Sequence, residues 1–321
     1  MRFGVQCLGA TDGAAWRDLA HRVEGAGFDV LSVADHFVAG CLAPFTAMAI
    51  AAEATTRLRV ASLVLNNDFR HPVVVASEIL ALDALSGGRV ELGLGAGHGF
   101  PEYESSGIAF DDASVRIDRL RESVTILDSL LRGEATTFAG THYTLDAHRA
   151  WPASTQSPRP PILIGGNGRQ LLRVAATHAD IVGLSGTGKT KADGLTHDAT
   201  GFVPEAVDER IALVRDAAAG RPIELHALVQ QVVVTDDPRR AAERLAPHLP
   251  EISVDDILRT PYLWIGSVDS ICDNVLAAHE HWGFSYFTVF EHSLDAALPI
   301  VERLVSETRA PAVADAAEEE E

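Results

Sequence analysis

Short apolar runs alternate with helix-patterned segments eight times along this chain. That alternation limits the fold more than any single motif does. The runs lie at 3–7, 30–34, 58–65, 89–94, 160–164, 180–184, 223–235 and 284–290. Several of them are apolar at consecutive positions rather than at every second one. Strands of that kind are buried on both faces, as in parallel sheets covered by helices. The segments between them carry helical spacing. Trp16, Leu19, Ala20 and Val23 fall on one face behind Asp12, a cap residue. Ile117, Leu120, Val124, Leu127 and Leu131 do the same in a long helix over 114–131, for which Asp111 or Asp112 is the expected cap. Strand–helix alternation demands parallel strands with right-handed crossovers. Eight units predict an α/β fold, a (β/α)8 TIM barrel with insertions, ahead of a doubly wound open sheet. One insertion, at 140–151, reads as a short strand pair, and another, at 185–201, as a polar loop.

The 321 residues, 47% hydrophobic and 22% charged, suffice for one large core. No linker divides the chain, so a single domain is expected over 1–308, followed by a disordered acidic tail, 309–321. The formal net charge of −19 argues against nucleic acid and anionic membranes as partners. No apolar run approaches the roughly 18 residues of a membrane span. The first residues enter a strand pattern at once, without a signal peptide. Cys7, Cys41 and Cys272 are far apart and in no metal spacing, as expected of reduced packing residues in a cytoplasmic protein.

In a barrel of this kind, chemistry gathers at the C-terminal ends of the strands. Asp35 and His36 end the second strand. The bland reading is a capping carboxylate and a loop histidine. The functional reading is proton transfer by His36, whose side-chain type titrates near neutrality. Asn66 follows the third strand and His98 the fourth, and Glu291 and His292 end the eighth. Gly165, Gly166, Asn167, Gly168 and Arg169 lie between a strand and a helix. They form either a tight turn or a phosphate site built from backbone N–H groups.

Two motifs fail on inspection. The run from Gly93 to Phe100 lacks the sixth-position glycine of a dinucleotide fingerprint. Gly183 to Thr190 matches the P-loop pattern, but a breaker-rich loop follows where a helix must. No His/Cys/Asp cluster has metal-ligand spacing. Nothing pairs Asp35 with Glu291 for two-carboxylate glycosidase chemistry.

Specific blocks then carry a resemblance. They are Gly27-Phe28-Asp29-Val30-Leu31-Ser32-Val33-Ala34-Asp35-His36, the third strand with Phe69-Arg70-His71-Pro72, and Leu82-Asp83 through Ser86-Gly87-Gly88-Arg89 to Gly97. The chain resembles the bacterial luciferase-like superfamily, in particular its branch that uses the deazaflavin coenzyme F420; FMN is the alternative cofactor. The resemblance implies a luciferase-like barrel with an isoalloxazine-type ring in its mouth, a small-molecule substrate and a homodimer. It implies catalytic roles for His36 and Asp35, with Asp35 meeting the ring edge or orienting His36. It implies cofactor contacts from Asp35, Leu63, Val64, Asn66, Gly95, Ala96, Gly97, His98, Gly165, Gly166, Asn167, Gly168 and Arg169. Substrate contacts are expected from Phe37, Phe100 and His292, and a non-proline cis peptide near Leu63 and Val64. Arg70, Arg169, Lys189 and Lys191 are the cations available to the anionic coenzyme. The sugar-phosphate dehydrogenases of this branch carry a glutamate where His98 stands, which argues against glucose-6-phosphate oxidation. The expected activity is hydride transfer between coenzyme F420 and a small organic substrate, reducing an activated C=C or C=N bond. An FMN-dependent monooxygenase is the alternative, and a non-catalytic flavin-binding barrel or a nucleotide-binding protein a further one.

Overall fold

A computed structural model describes residues 1–194 and 196–309; the expected acidic tail lies, from residue 310 on, outside the described residues. Eight parallel strands close into a barrel. They are β1 (Arg2–Cys7), β2 (Val30–Val33), β3 (Arg59–Ser62, resuming at Leu65–Asn66), β4 (Val90–Gly95), β5 (Ile162–Gly165), β6 (Ile181–Leu184), β7 (Glu224–Val229) and β8 (Phe284–Phe290). Each pairs with its neighbours in order, and β8 pairs with β1. Closure on the other side comes from Val60 opposite Val90 and Ala61 opposite Glu91. The (β/α)8 expectation holds.

Among the described residues, eleven α-helices cover the barrel or its insertions: α1 (Gly13–Gly25), α2 (Pro44–Ala54), α3 (Pro72–Ser86), α4 (Phe100–Ser106), α5 (Ala113–Leu131), α6 (Arg169–His178), α7 (Pro204–Ala218), α8 (Pro238–Leu245), α9 (Val254–Arg259), α10 (Val268–Trp282) and α11 (Leu294–Arg309). The Asp12 carboxylate accepts the N–H groups of Ala14 and Ala15, capping α1. Trp16, Leu19, Ala20 and Val23 are the residues α1 buries. The insertion strands Thr136–Ala139 and Thr144–His148 form a hairpin, as expected, but it starts before the expected 140–151 range. Glu122 of α5 anchors it by accepting the N–H groups of Thr141, His142 and Tyr143.

Three local expectations are corrected. The seventh run divides: after Val229 the Gln230 N–H donates to Tyr262 O at 2.7 Å. Gln231–Val234 then pairs with Leu263–Gly266 in a separate two-stranded sheet. Asp112 starts α5 without a side-chain cap bond, and the Asp111 carboxylate pairs with Arg119 instead. The stretch between β4 and α5, for which the sequence pattern predicts no element, holds the short helix α4.

Side chains pointing into the barrel change character along its length. At the N-terminal end, Arg2 pairs with Glu91 and Glu224, each at 2.6 Å, and Arg59 with Glu91 at 2.5 Å. Val30, Ala61, Leu163, Ile181 and Tyr286 form the apolar layer above. Next come hydrogen-bonded polar groups, with Ser32 Oγ 2.5 Å from Gln6 Oε1 and His226 Nε2 2.9 Å from Thr288 Oγ1. Higher still, Gly95, Gly165 and Gly183 contribute no side chain, and space opens.

Candidate active site

The C-terminal ends of the strands enclose a cavity of about 480 Å³, a volume typical of small-molecule sites. Asp35, His36, Leu63, Val64, Asn66, Gly95, Ala96, Gly97, His98, Gly165, Gly166, Asn167 and Gly168 all line it. The topology therefore brings together residues from four strand ends that lie far apart in sequence.

Asp35 and His36 come just after the end of β2, and their partners differ. Asp35 is 4% exposed, and both oxygens of its carboxylate accept hydrogen bonds. Arg70 donates to both of its oxygens, at 2.5 and 3.0 Å, and the Asn66 N–H donates at 3.0 Å. Asp35 thus ties the end of β2 to β3 through a bidentate pair. His36 Nδ1 instead lies 2.7 Å from Glu102 Oε1, and the other Glu102 oxygen accepts the Phe37 N–H at 2.7 Å. The carboxylate that orients His36 comes from α4. The hydrogen bonds of Asp35 run to Arg70 and the Asn66 N–H, and His36 Nδ1 pairs with Glu102 rather than with Asp35.

Two further histidines continue from His36. The His98 ring stands edge-on to it, with centroids 5.4 Å apart, and meets His197 at 5.3 Å. Loss of water around the ring, then the neighbouring His36 and His197, push the His98 pKa down to about 4. Burial also lowers that of His197. Both rings are therefore neutral near pH 7. His197 arrives on the 185–201 segment, which folds back on itself: Gly188 N–H donates to Asp198 O and Asp198 N–H to Lys189 O, both at 2.9 Å. Arg210 of α7 clamps the segment's ends, donating to Gly186 O at 3.1 Å, Gly201 O at 3.2 Å and Thr187 O at 2.9 Å. The next helix starts only at Pro204, so the P-loop match has no helix N-terminus to use.

The cavity wall depends on missing side chains. The Leu63–Val64 peptide is cis, as expected. A Cβ at Gly95 would stand 2.7 Å from Val64 Cγ2. Gly97 has φ +78°, and a Cβ there would stand 2.0 Å from Tyr103 Oη, far inside contact distance. That hydroxyl lies 2.9 Å from both Asn66 Oδ1 and Asp68 Oδ2, so it cannot retreat cheaply. Asn167 Nδ2 donates to Ser185 Oγ at 2.7 Å and Thr187 Oγ1 at 3.0 Å. Its Oδ1 is buried without a partner. Gly168 begins α6 without a side-chain cap, leaving first-turn N–H groups open at the rim.

Other expected site residues stand outside the wall. Arg169 is exposed at the start of α6. Phe37, 52% exposed, stacks on Phe69 with centroids 4.3 Å apart, and Phe100, 44% exposed, packs edge-on against Phe110. His292 stacks on Phe290, and it is Phe290 that lines the cavity. Of the cations named for the coenzyme, Arg70 is taken by Asp35 and Lys191 lies 3.4 Å from Glu251. Arg169 and Lys189 are exposed beside lining residues. Among the described residues, no Lys or Arg lines the cavity itself.

Glu102, His197 and His226 were not singled out from sequence. Glu102 lies in a helix of seven residues, too short for periodicity to register. Its one signal is Pro101, a helix-start residue.

Comparison with known proteins gives the following likenesses. An uncharacterized protein of Mycobacterium tuberculosis is 32% identical over 194 residues, covering 59% of this chain and 60% of that protein. The F420-dependent glucose-6-phosphate dehydrogenase of Amycolatopsis mediterranei is 32% identical over 174 residues, 51% of this chain and 52% of that one. The chain thus spans between half and three fifths of the length of these relatives. In structure it is similar to the coenzyme F420 dependent tetrahydromethanopterin reductase of Methanopyrus kandleri, with a TM-score of 0.74 at 18% identity, covering 94% of this chain and 96% of that one. A long-chain alkane monooxygenase gives 0.75 at 18% identity, covering 100% and 93%; both likenesses speak to the fold. Residues 1–254 match the family model described as luciferase-like monooxygenase, and the chain belongs to that family.

Proposed function

We propose that this chain is an oxidoreductase that uses coenzyme F420 to reduce an activated C=C or C=N bond in a small uncharged molecule, with His36 carrying the accompanying proton. The observation that carries this reading is the Glu102–His36 pair, set at the edge of a glycine-walled cavity in a chain of this family. Two orphaned buried atoms, Asn167 Oδ1 and His226 Nδ1, fit a planar ring with polar groups around its edge. The names of the F420-dependent relatives support the choice of cofactor.

Asp35 and Asn66 lock β2 to β3, and Leu63, Val64, Gly95 and Gly165 form the wall on which the ring is held. Gly166 to Arg169, at the open start of α6, bind its phosphate through backbone N–H groups. When bound, coenzyme F420 supplies the hydride chemistry at its ring carbon C5. Glu102 accepts a hydrogen bond from His36 Nδ1–H and so leaves Nε2 as the nitrogen that holds or releases the proton. His98 and His197, both neutral, offer hydrogen bonds to an uncharged substrate. Phe37 and Phe100 flank the entrance. A phosphorylated sugar finds no Lys or Arg in this wall, so the reductase reading is preferred over glucose-6-phosphate oxidation. We read residues 1–308 as one domain, working as a homodimer in the cytoplasm.

The test is titration of the purified protein with coenzyme F420 and with FMN, followed by turnover of His36→Ala. Tighter binding of coenzyme F420 is expected. The variant should lose about 100-fold or more in kcat while its cofactor Kd stays within a few-fold. Preferential FMN binding with oxygen-dependent turnover would replace this reading with the monooxygenase one. An unchanged rate in His36→Ala would remove the proton role.

A further inference from the structure

We propose that His226, at the floor of the cavity, is a hydrogen-bonding anchor for the polar edge of the bound cofactor ring. His226 points inward from β7 and is 1% exposed. Its Nε2 lies 2.9 Å from Thr288 Oγ1. The Tyr286 ring stands against it at 4.5 Å between centroids, so the imidazole is held in one orientation. Its Nδ1 is buried without a partner, and buried polar atoms are seldom left unpaired. The space beside that nitrogen exists because the facing residue is a glycine. A Cβ on Gly183 would stand 3.4 Å from Nδ1, and both residues line the cavity.

Burial pushes the His226 pKa down to about 3. The ring is therefore neutral, with one nitrogen donating and the other accepting. A neutral hydrogen-bonding atom at the closed end of the cavity suits an uncharged ring edge. It does not suit a phosphate, for which the backbone N–H groups at the start of α6 are available. Deazaflavin and flavin rings both carry carbonyl and N–H groups on one edge, and coenzyme F420 adds a hydroxyl on the other. The proposal rests on the cofactor reading above.

The experiment uses the full chain, with His226→Leu and Gly183→Ala as variants. Fluorescence titration gives the Kd for coenzyme F420, and thermal melting of each protein reports folding. In parallel, ¹⁵N-histidine-labelled wild-type protein is followed by NMR as coenzyme F420 is added. Both variants should bind about tenfold more weakly than the wild type. The Nδ1 resonance absent from His226→Leu should move on cofactor addition. Folded variants that bind as tightly as the wild type, with that resonance unmoved, would overturn the anchor and leave Nδ1 to a buried water. If His226→Leu does not fold, His226→Gln supplies the resonance assignment and, with Gly183→Ala, the affinity comparison. Wild-type protein that binds neither coenzyme F420 nor FMN would overturn the functional reading and this proposal with it.

Discussion

At the scale of single residues, the division of labour between Asp35 and Glu102 governs what the site does. Asp35 binds Arg70 and the Asn66 N–H, bonds that hold two strand ends together. Glu102 spends one oxygen on His36 and the other on the Phe37 N–H, so its role is to aim the imidazole. Replacing Glu102 with Gln keeps the size but removes the charge. It also allows an amide N–H to face His36, which disfavours the productive tautomer. We expect kcat to fall by at least about tenfold with KM and cofactor Kd little changed, as steady-state kinetics and a fluorescence titration will show. A parallel rise in Kd would mean that Glu102 shapes the cavity rather than the histidine. The location of His36 was legible in the sequence, because a barrel strand delivers its last residues to one mouth. Its partner was not, because Glu102 is 66 residues away on a helix too short to leave a pattern.

At the scale of elements, the turns after β4 and β5 do more than connect strands to helices. Gly97 sits at positive φ with Tyr103 Oη occupying the space of a side chain. That packing sets α4, and hence Glu102, against the end of β4. Gly97→Ala adds both backbone strain and a clash. A loss of about 1–3 kcal/mol in stability is expected from urea denaturation, together with at least tenfold weaker binding of coenzyme F420. The glycines themselves are plain in the sequence, and a close approach at Gly97 was readable from them. What approaches was not, since Tyr103 and Asn66 come from separate elements. The seventh run shows the opposite limit. Residues 223–235 hold no glycine or proline and read as one strand, yet Tyr262 O captures the Gln230 N–H and splits it between two sheets.

At the scale of the whole molecule, the two ends of the barrel separate stability from function. The N-terminal end is closed by Arg2, Arg59, Glu91 and Glu224, with Glu91 nearly buried between two arginines. Glu91→Gln leaves those arginines short of a charge. A loss of about 3 kcal/mol is expected, discounted from the fully buried case because both arginines keep some solvent. Cofactor Kd should stay within twofold, since the cavity is at the other end; an equal loss of binding would argue that the two ends are coupled. Acid sensitivity follows from His226. Its folded pKa, about 3, is below the ordinary imidazole value of about 6.5. The unfolded chain therefore binds a proton that the folded chain refuses between these values, and stability falls as pH falls through that window. Between pH 7 and pH 5 the loss is about 2 kcal/mol. Unfolding free energies from urea titrations at the two pH values should differ by about 2 kcal/mol more in wild type than in His226→Leu; His98, with a folded pKa of about 4, adds its own loss to both proteins.

The local pattern of apolar runs, caps and glycines by itself determined the number of barrel strands, their parallel sense and the end of the barrel at which polar residues gather. These are consequences of periodicity and of the right-handed crossover, both of which act over short stretches of chain. Tertiary structure alone decided which carboxylate serves His36, that Arg70 is spoken for, and that His98 and His197 stand side by side. It also placed an unpartnered His226 nitrogen beneath the cavity. The physical reason is the same in each case. Hydrogen bonds and loss of solvent depend on distances of a few ångströms between residues tens of positions apart, and a sequence pattern carries no record of those distances.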